Sequence, residues 1–167
     1  MIERVIDMKK IPIGTKSFSR LIEGNYYFVD KTLMIQEFLE RGTDVTLITR
    51  PRRFGKTINM SMLSEFFDIT KDSKEIFKDT LIMKTPYASE INQYPTIFIS
   101  FADAKRDKMT VITTIKTQIQ NQWDKYDYVF ENLKGFKKLR YENLCNNLED
   151  YNTLDGINDA ISFLMEK

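Results

Sequence analysis

The chain has 167 residues, of which 42% are hydrophobic and 29% are charged, and its formal net charge is +1. This length and composition indicate a packed globular domain and exclude a disordered chain. A net charge close to zero gives no electrostatic reason to expect nucleic acid or a membrane as a partner. The sequence has no histidine, which excludes Ser-His and Cys-His nucleophiles and histidine-ligated metals.

The single cysteine, Cys145, excludes an internal disulfide framework. Its spacing from Tyr141, Leu144 and Leu148 is helical, so we expect it to fill the core rather than to act as a reactive thiol. No apolar run approaches the length of a membrane span, and the first residues lack the pattern of a signal peptide. We therefore expect a cytoplasmic protein.

Residues 1–44 are predicted to form an extended lead-in segment and one helix. A short helix is expected over 17–22. Asp30 is a favourable N-cap for a second helix over 31–41, which Gly42 would end. On this pattern Asp30, Lys31 and Thr32 form the cap and first turn. The apolar positions of the second helix are predicted to be its buried face: Leu33, Met34, Ile35, Phe38 and Leu39.

Residues 45–103 are predicted to form the core of the domain. The β-branched and apolar run from Val45 to Thr49 is typical of a strand buried on both faces. A helical pattern begins directly after Gly55-Lys56-Thr57. Its apolar face comprises Ile58, Met62, Leu63, Phe66 and Phe67, and its polar face Asn59, Ser61, Ser64, Glu65 and Asp68.

A Gly-Lys-Thr between a buried strand and a helix indicates a phosphate-binding loop. Backbone N–H groups and the helix dipole would face a phosphate, Lys56 adds a charge, and the Thr57 hydroxyl can hold Mg²⁺. The usual first glycine of the motif is replaced by Arg50. The predicted binding residues are Arg50, Pro51, Arg52, Arg53, Phe54, Gly55, Lys56 and Thr57.

The same loop has a second interpretation, a basic turn between two packed elements. Four cations lie within the seven residues from Arg50 to Lys56. At a helix N-terminus each cation is disfavoured by about 0.3–1 kcal/mol. A bound anion would relieve this conflict, which favours the phosphate-binding interpretation.

The segment from Thr49 to Thr57 resembles the P-loop of the AAA-ATPase-like family, whose Walker A motif reads TRPRRFGKT. In that family an arginine at the first glycine position is a common trait. The family's opening signature is similar to Ile11-Pro12-Ile13-Gly14, Phe18 and Tyr26-Tyr27-Phe28-Val29-Asp30-Lys31-Thr32, and its next core strand to the residues from Tyr94 to Phe101. These three blocks occur in the family's order over residues 11–103.

The resemblance implies a nucleotide-binding module that takes ATP or ADP with Mg²⁺. Lys56 would bridge the β- and γ-phosphates, and Arg52 and Arg53 would add phosphate or sensor contacts. Asp30 and Lys31 gain a second interpretation as nucleotide contacts. Members of the family typically carry a nuclease domain of the PD-(D/E)XK type after the ATPase-like domain.

The run from Thr96 to Phe101 predicts a second strand, followed by Asp103. One interpretation makes Asp103 the Walker B partner of Mg²⁺. The other makes it a strand-end residue or the cap of the next helix, because the family's acidic motif, a run resembling LIDEYD, comes later. No strand-like run ending in paired acids follows Phe101, so we expect binding without hydrolysis by this chain alone.

Residues 104–167 are predicted to be helical, with Ile112, Ile115, Ile119 and Trp123 on one buried face. The predicted fold class is α/β, a partial P-loop NTPase fold of the ASCE/AAA-like type. It would contain a few parallel strands with flanking helices and a helical C-terminal third. Both predicted strands would have unpaired edges, so another protein chain could complete the sheet. The alternative function is a non-catalytic fragment or protein-interaction domain with a vestigial basic loop.

Overall fold

A computed structural model describes residues 9–49, 51, 54–101, 108–147 and 154–165. It divides into two compact units, one ending at Thr96 and the other beginning at Ile97. The first unit contains α1 (Phe18–Glu23), α2 (Leu33–Arg41), α3 (Lys56–Phe67), α4 (Lys74–Phe77) and two 3₁₀ turns (Leu81–Lys84 and Pro86–Glu90). The second contains α5 (Lys108–Lys125), α6 (Asp127–Glu131), α7 (Gly135–Asn147) and α8 (Leu154–Met165). None of the helices in these ranges is long and apolar enough to cross a bilayer.

The predicted α/β fold with parallel strands is wrong. The described residues are mostly helical and form no sheet. Their β-type pairing is limited to isolated parallel bridges, Lys10 with Tyr26 and Asp68 with Tyr94. The prediction of a helical C-terminal third, by contrast, agrees with α5 to α8.

The two predicted strands fail for the same physical reason, which is the lack of a neighbouring strand. Val45 and Leu47 are 84% and 82% exposed, and no backbone hydrogen bond joins their segment to another described part of the chain. In the run 96–101, the backbone of Ser100 instead pairs with a side chain. The amide of Gln118 accepts from the Ser100 N–H (2.6 Å) and donates to the Ser100 carbonyl (2.8 Å). A β-branched sequence favours a strand only where a partner backbone is available.

The helix ends of the first unit agree with the predictions only in part, because the N-cap of α2 is Thr32 and not the predicted Asp30. Ser17 caps α1 by accepting from the Arg20 N–H. Gly42 ends α2 in the left-handed conformation, at φ 52°. Helix α3 begins at Lys56, two residues before the predicted start after Thr57.

The core of the first unit is built around the apolar face of α3. The predicted face packs there, with Met62 and Phe66 fully buried. Phe77 joins this face to α1, because its ring centroid lies 5.3 Å from that of Phe66 and 4.9 Å from that of Phe18. The buried members of the core are Phe18, Ile35, Met62, Phe66, Phe77, Ile82 and Ile91.

The predicted polar face of α3 is not solvent-exposed at its C-terminal end. Ser64, Glu65 and Asp68 are all buried, so that part of the amphipathic prediction is wrong. The Glu65 carboxylate accepts from Lys71 Nζ (2.5 Å) and from Ser73 Oγ (3.2 Å). The Asp68 carboxylate accepts from the N–H (3.0 Å) and the hydroxyl (2.8 Å) of Thr70. Burial of the two carboxylates is tolerated because each has hydrogen-bond partners.

Asn92 connects the same polar face of α3 to the chain that follows it. Its side-chain oxygen accepts from the Ser73 N–H (2.9 Å), and its amide donates to the carbonyls of Glu65 (3.1 Å) and Asp68 (2.8 Å). These carbonyls lie at the C-terminal end of α3, where no intrahelical donor is available. Helix α3 is therefore held by contacts on both its apolar and its polar side.

The second unit has its own core, which confirms the predicted face of α5. Its centre is a stack of aromatic rings in which Phe130 and Tyr141 lie 4.5 Å apart and are inclined by only 3°. Phe163 of α8 stacks on both. The buried residues of this core are Ile112, Ile115, Ile119, Trp123, Tyr126, Phe130, Leu144, Ile157, Ala160 and Phe163.

Cys145 is exposed, so the prediction that it fills the core is wrong. Partial desolvation of its thiol nevertheless raises its pKa above the usual value. The thiolate is the reactive form of cysteine, and a raised pKa makes it scarce at neutral pH.

Replacing the central ring of the first core should destabilise that unit strongly. Phe66→Ala removes a fully buried aromatic side chain, so we expect the free energy of unfolding to fall by about 3–5 kcal/mol. Urea denaturation followed by circular dichroism measures the change. Val45→Ala is the matched control, since Val45 is 84% exposed and should change stability by less than about 0.5 kcal/mol. Equal effects of the two substitutions would contradict this assignment of the core.

Candidate functional site

The start of α3 has the backbone geometry that the Gly-Lys-Thr pattern requires. Gly55 is the N-cap residue and adopts the left-handed conformation, at φ 74°. A Cβ added at Gly55 would meet no atom within 4 Å, so the requirement for glycine comes from the backbone angle and not from crowding. The Gly55 carbonyl accepts the first helical bond, from the Asn59 N–H (2.9 Å).

The electrostatics at this helix start favour an anion. The first turn of α3 contains no acidic residue, and Gly55 provides no side-chain cap for its N–H groups. Between Asp44 and Glu65 the sequence carries four cations and no acid. N–H groups at a helix N-terminus carry partial positive charge, so this end of α3 is positive from both the backbone and the side chains.

Lys56 and Thr57 are the first two residues of α3. The side chain of Lys56 is exposed and lies back over the preceding loop, where its Nζ donates to the Pro51 carbonyl (3.2 Å). Thr57 is half-buried. The ammonium group and the hydroxyl thus both belong to the turn that presents the N–H groups.

The structure brings together those predicted phosphate-loop residues that it describes. Pro51, Phe54, Gly55, Lys56 and Thr57 form the end of the loop and the first turn of α3, with Phe54 57% exposed. Arg50, Arg52, Arg53 and Asp103 lie outside the described residues, and their predicted roles stay predictions. No group of three or more His, Cys, Asp or Glu side chains arranged for a metal ion occurs in the described ranges.

The Asp30 carboxylate forms hydrogen bonds both within its own segment and to a distant part of the chain. Its Oδ1 accepts from the N–H (2.8 Å) and the hydroxyl (2.6 Å) of Thr32, at the start of α2. Its Oδ2 accepts from the Leu81 N–H (2.8 Å), 51 residues further along the chain. The buried Thr32 hydroxyl in turn accepts from the Ile82 N–H (3.1 Å).

Two of these four bonds attach the start of α2 to the 3₁₀ turn Leu81–Lys84, and the other two join Asp30 to Thr32. They use both carboxylate oxygens of Asp30. The N-cap of α2 is Thr32 and not Asp30, so that part of the prediction is wrong, whereas the nucleotide contact stays a prediction. Lys31 is exposed and faces a different feature, a groove beside α3. Asp30 and Thr32 therefore bond the 3₁₀ turn, whereas Lys31 between them lines the open groove.

The groove is the feature that sequence reasoning missed. It has a volume of about 750 Å³ and lies between α2, the segment 46–49 and the first half of α3. The sequence prediction instead placed five apolar positions of α2 in the buried face. That prediction is wrong for most of them, since only Ile35 is buried, while Leu33 and Phe38 are exposed. The groove is lined by Lys31, Leu33, Met34, Glu37, Phe38, Arg41, Thr46, Leu47, Ile48, Thr49, Phe54, Asn59 and Leu63.

Comparison with known protein families shows which family the chain belongs to. A family described as "Predicted AAA-ATPase" matches residues 12–161, which include the helix start at Lys56 and most of both units. The chain belongs to this AAA-ATPase-like family. The resemblance carried by residues 11–103 is therefore confirmed at the level of the family.

One curated relative of this AAA-ATPase-like chain is the "Uncharacterized protein in vnfD 5'region" of Azotobacter chroococcum mcd 1. The two are 47% identical over 60 residues, which make up 35% of this chain and 11% of the relative. The chain thus matches only about a ninth of that relative's length. No solved structure is significantly similar to the chain.

Removing the Asp30 carboxylate should destabilise the first unit. Asp30→Ala deletes the acceptor for three donors, so we expect the free energy of unfolding to fall by roughly 1–3 kcal/mol. Lys31→Ala is the neighbouring control, because that exposed side chain should contribute less than about 0.5 kcal/mol. Chemical denaturation of both variants measures the difference. An Asp30→Ala protein as stable as the unsubstituted chain would show that the link to Leu81 does not hold the fold.

Proposed function

We propose that this chain binds ATP or ADP with Mg²⁺ at residues 50–57. The observation that carries the proposal is that Gly55-Lys56-Thr57 begins a twelve-residue helix in a member of the predicted AAA-ATPase family. The N–H groups of a helix start, together with a lysine and a hydroxyl, match the chemistry of a nucleotide's terminal phosphates.

Each residue of the helix start has a distinct task in this proposal. Gly55 adopts a left-handed conformation that residues with a side chain disfavour, and it allows the loop backbone to approach the phosphates. Lys56 would exchange its contact with the Pro51 carbonyl for the β- and γ-phosphates. Thr57 would provide a hydroxyl ligand to Mg²⁺ that is already bound to the phosphates.

The arginines of the loop would add charge to the same anion. Arg50, Arg52 and Arg53 precede Gly55 within five residues, and guanidinium groups bind phosphate with two parallel hydrogen bonds. Their cost at a helix N-terminus in the ligand-free chain is consistent with a site that is completed by an anion.

Lys56→Ala should weaken nucleotide binding most among single substitutions in the loop. Losing one charge-assisted contact costs about 1.5–3 kcal/mol, so we expect the Kd for Mg-ATP to rise roughly ten- to a hundredfold. Isothermal titration calorimetry on the folded chain measures this directly.

The control for this experiment is Lys84→Ala. It removes the same charge from an exposed position in the 3₁₀ turn Leu81–Lys84 and should leave the Kd unchanged. If the unsubstituted protein gives no heat with millimolar Mg-ATP, the chain has no nucleotide site and the loop is a basic turn.

We expect the chain to bind ATP without hydrolysing it at a measurable steady-state rate. Hydrolysis needs a carboxylate beside Mg²⁺ and a group that positions the attacking water, and the sequence after Phe101 has no strand-like run ending in paired acids. A phosphate-release assay on the purified chain should therefore stay at background. A rate that is above background and disappears in Lys56→Ala would contradict this expectation.

A further inference from the structure

The segment 45–49 combines exposed apolar side chains with an unbonded backbone. Val45 and Leu47 are 84% and 82% exposed, and the segment lies in no helix or turn. No hydrogen bond joins its backbone to another residue that the structure describes. Residues 46–49 border the groove beside α3, so there is open space next to them. A β-branched, apolar stretch of this kind is a template for pairing with another strand.

The run 96–101 is less suited to such pairing. The Ser100 backbone already bonds the Gln118 amide through both its N–H and its carbonyl, and Ile99 packs against the core of the second unit. A partner strand would have to displace these contacts. Among the described residues, the segment 45–49 has neither kind of contact, so it is the stronger candidate for a strand-pairing surface.

The sequence around this segment is complementary to itself when two copies pair in antiparallel fashion. Centred on Leu47, this pairing sets Leu47 opposite Leu47 of the partner subunit and Val45 opposite Thr49 of the partner subunit. It also sets Asp44 opposite Arg50 of the partner subunit, and the two-fold symmetry forms this charge pair twice. Arg50 lies outside the described residues and enters here through its charge and its place in the sequence alone.

Pro51 restricts the register of this pairing. A register that set Asp44 opposite Arg52 or Arg53 of the partner subunit would bring Pro51 within the paired stretch. Proline has no N–H to donate and is disfavoured inside a ladder of strand hydrogen bonds. With Leu47 at the centre, the stretch that pairs Asp44 with the arginine ends before Pro51. The sequence therefore favours the register in which residue 47 meets its own copy.

We propose that two copies of this chain associate by antiparallel pairing of their segments 45–49 about a two-fold axis at Leu47. The pairing bonds backbone groups that have no other partner in the described chain and covers the Val45 and Leu47 side chains. So short a ladder buries less surface than the roughly 1,200–2,000 Å² of a stable complex, so the dimer is weak and forms at high protein concentration. The inference goes beyond the proposed function, and its tests are made without nucleotide.

Disulfide cross-linking tests the register directly. In a Cys145→Ser background, which removes the natural cysteine, Leu47→Cys and Val45→Cys introduce thiols at two positions of nearly equal exposure. In the proposed dimer the two Cα atoms of residue 47 lie about 4.5–5.5 Å apart, whereas those of residue 45 lie roughly 14 Å apart. Because a disulfide needs a Cα separation under about 7 Å, we expect at least about tenfold more cross-linked dimer from Leu47→Cys under mild oxidation.

A charge substitution tests the contact with Arg50 of the partner subunit. Asp44→Lys in the Leu47→Cys protein replaces an attraction by a repulsion at both ends of the pairing, so we expect the yield of cross-linked dimer to fall several-fold. Asp72→Lys is the matched control, since it makes the same change of charge at another exposed position and should leave the yield as it is. Both positions are exposed, so both variants should fold.

Sedimentation equilibrium under reducing conditions measures the dimer without cross-linking. The apparent mass of the unsubstituted chain should rise from 19.8 kDa towards twice that value as its concentration increases. Leu47→Lys sets two ammonium groups face to face on the two-fold axis and should remain monomeric. A constant mass for the unsubstituted chain or a dimer that survives Leu47→Lys would overturn the proposal. Equal cross-linking at positions 45 and 47, or equal yields from Asp44→Lys and Asp72→Lys, would do the same.

Discussion

Fixing α3 from both sides is the constraint on which the first unit depends. Phe66 anchors its apolar side in the aromatic core, while Glu65 anchors its polar side through Lys71 and Ser73. Asn92 bonds the carbonyls at the end of the helix. A shift of α3 along its axis would break the apolar contacts and leave buried polar groups unpaired, which costs about 1–3 kcal/mol per group. The position of its first turn at Lys56 is thereby fixed as well.

Because α3 is fixed in place, the positive groups at its start are held together. The cations of a mobile loop could move apart, whereas a fixed helix start keeps Lys56 next to the first N–H groups of the helix. An anion bound there gains from the dipole and from the side chains at once. Because such a ligand binds the folded chain only, it would also stabilise the fold, by about 2.7 kcal/mol at a hundred times its Kd.

Features that depend on neighbouring residues could be predicted from the sequence. Gly42 marks the end of α2 because left-handed backbone conformations are local properties. The 3.6-residue period of Ile112 to Trp123 likewise predicts the buried face of α5. The same local chemistry placed Lys56 and Thr57 at a helix start.

Features that need a distant partner could not be predicted. The run Val45 to Thr49 has strand propensity, but a strand also needs a neighbouring backbone, which the described chain does not supply. The sequence pattern predicts a solvent-exposed Glu65. Its burial depends on Ser73 and Asn92, which lie on later segments of the chain. For the same reason the contact of Asp30 with Leu81, 51 residues away, was not visible.

The central claim is that a nucleotide binds through the N–H groups at the start of α3, and amide hydrogen exchange tests it most directly. The first N–H groups of a helix lack intrahelical acceptors and exchange readily, so a ligand that accepts from them must slow their exchange. Exchange is measured by mass spectrometry on the full chain with and without saturating Mg-ADP. The account predicts slower exchange in peptides covering residues 54–59 and little change in α7. Unchanged exchange at 54–59 with nucleotide present, or protection confined to the second unit, would contradict it.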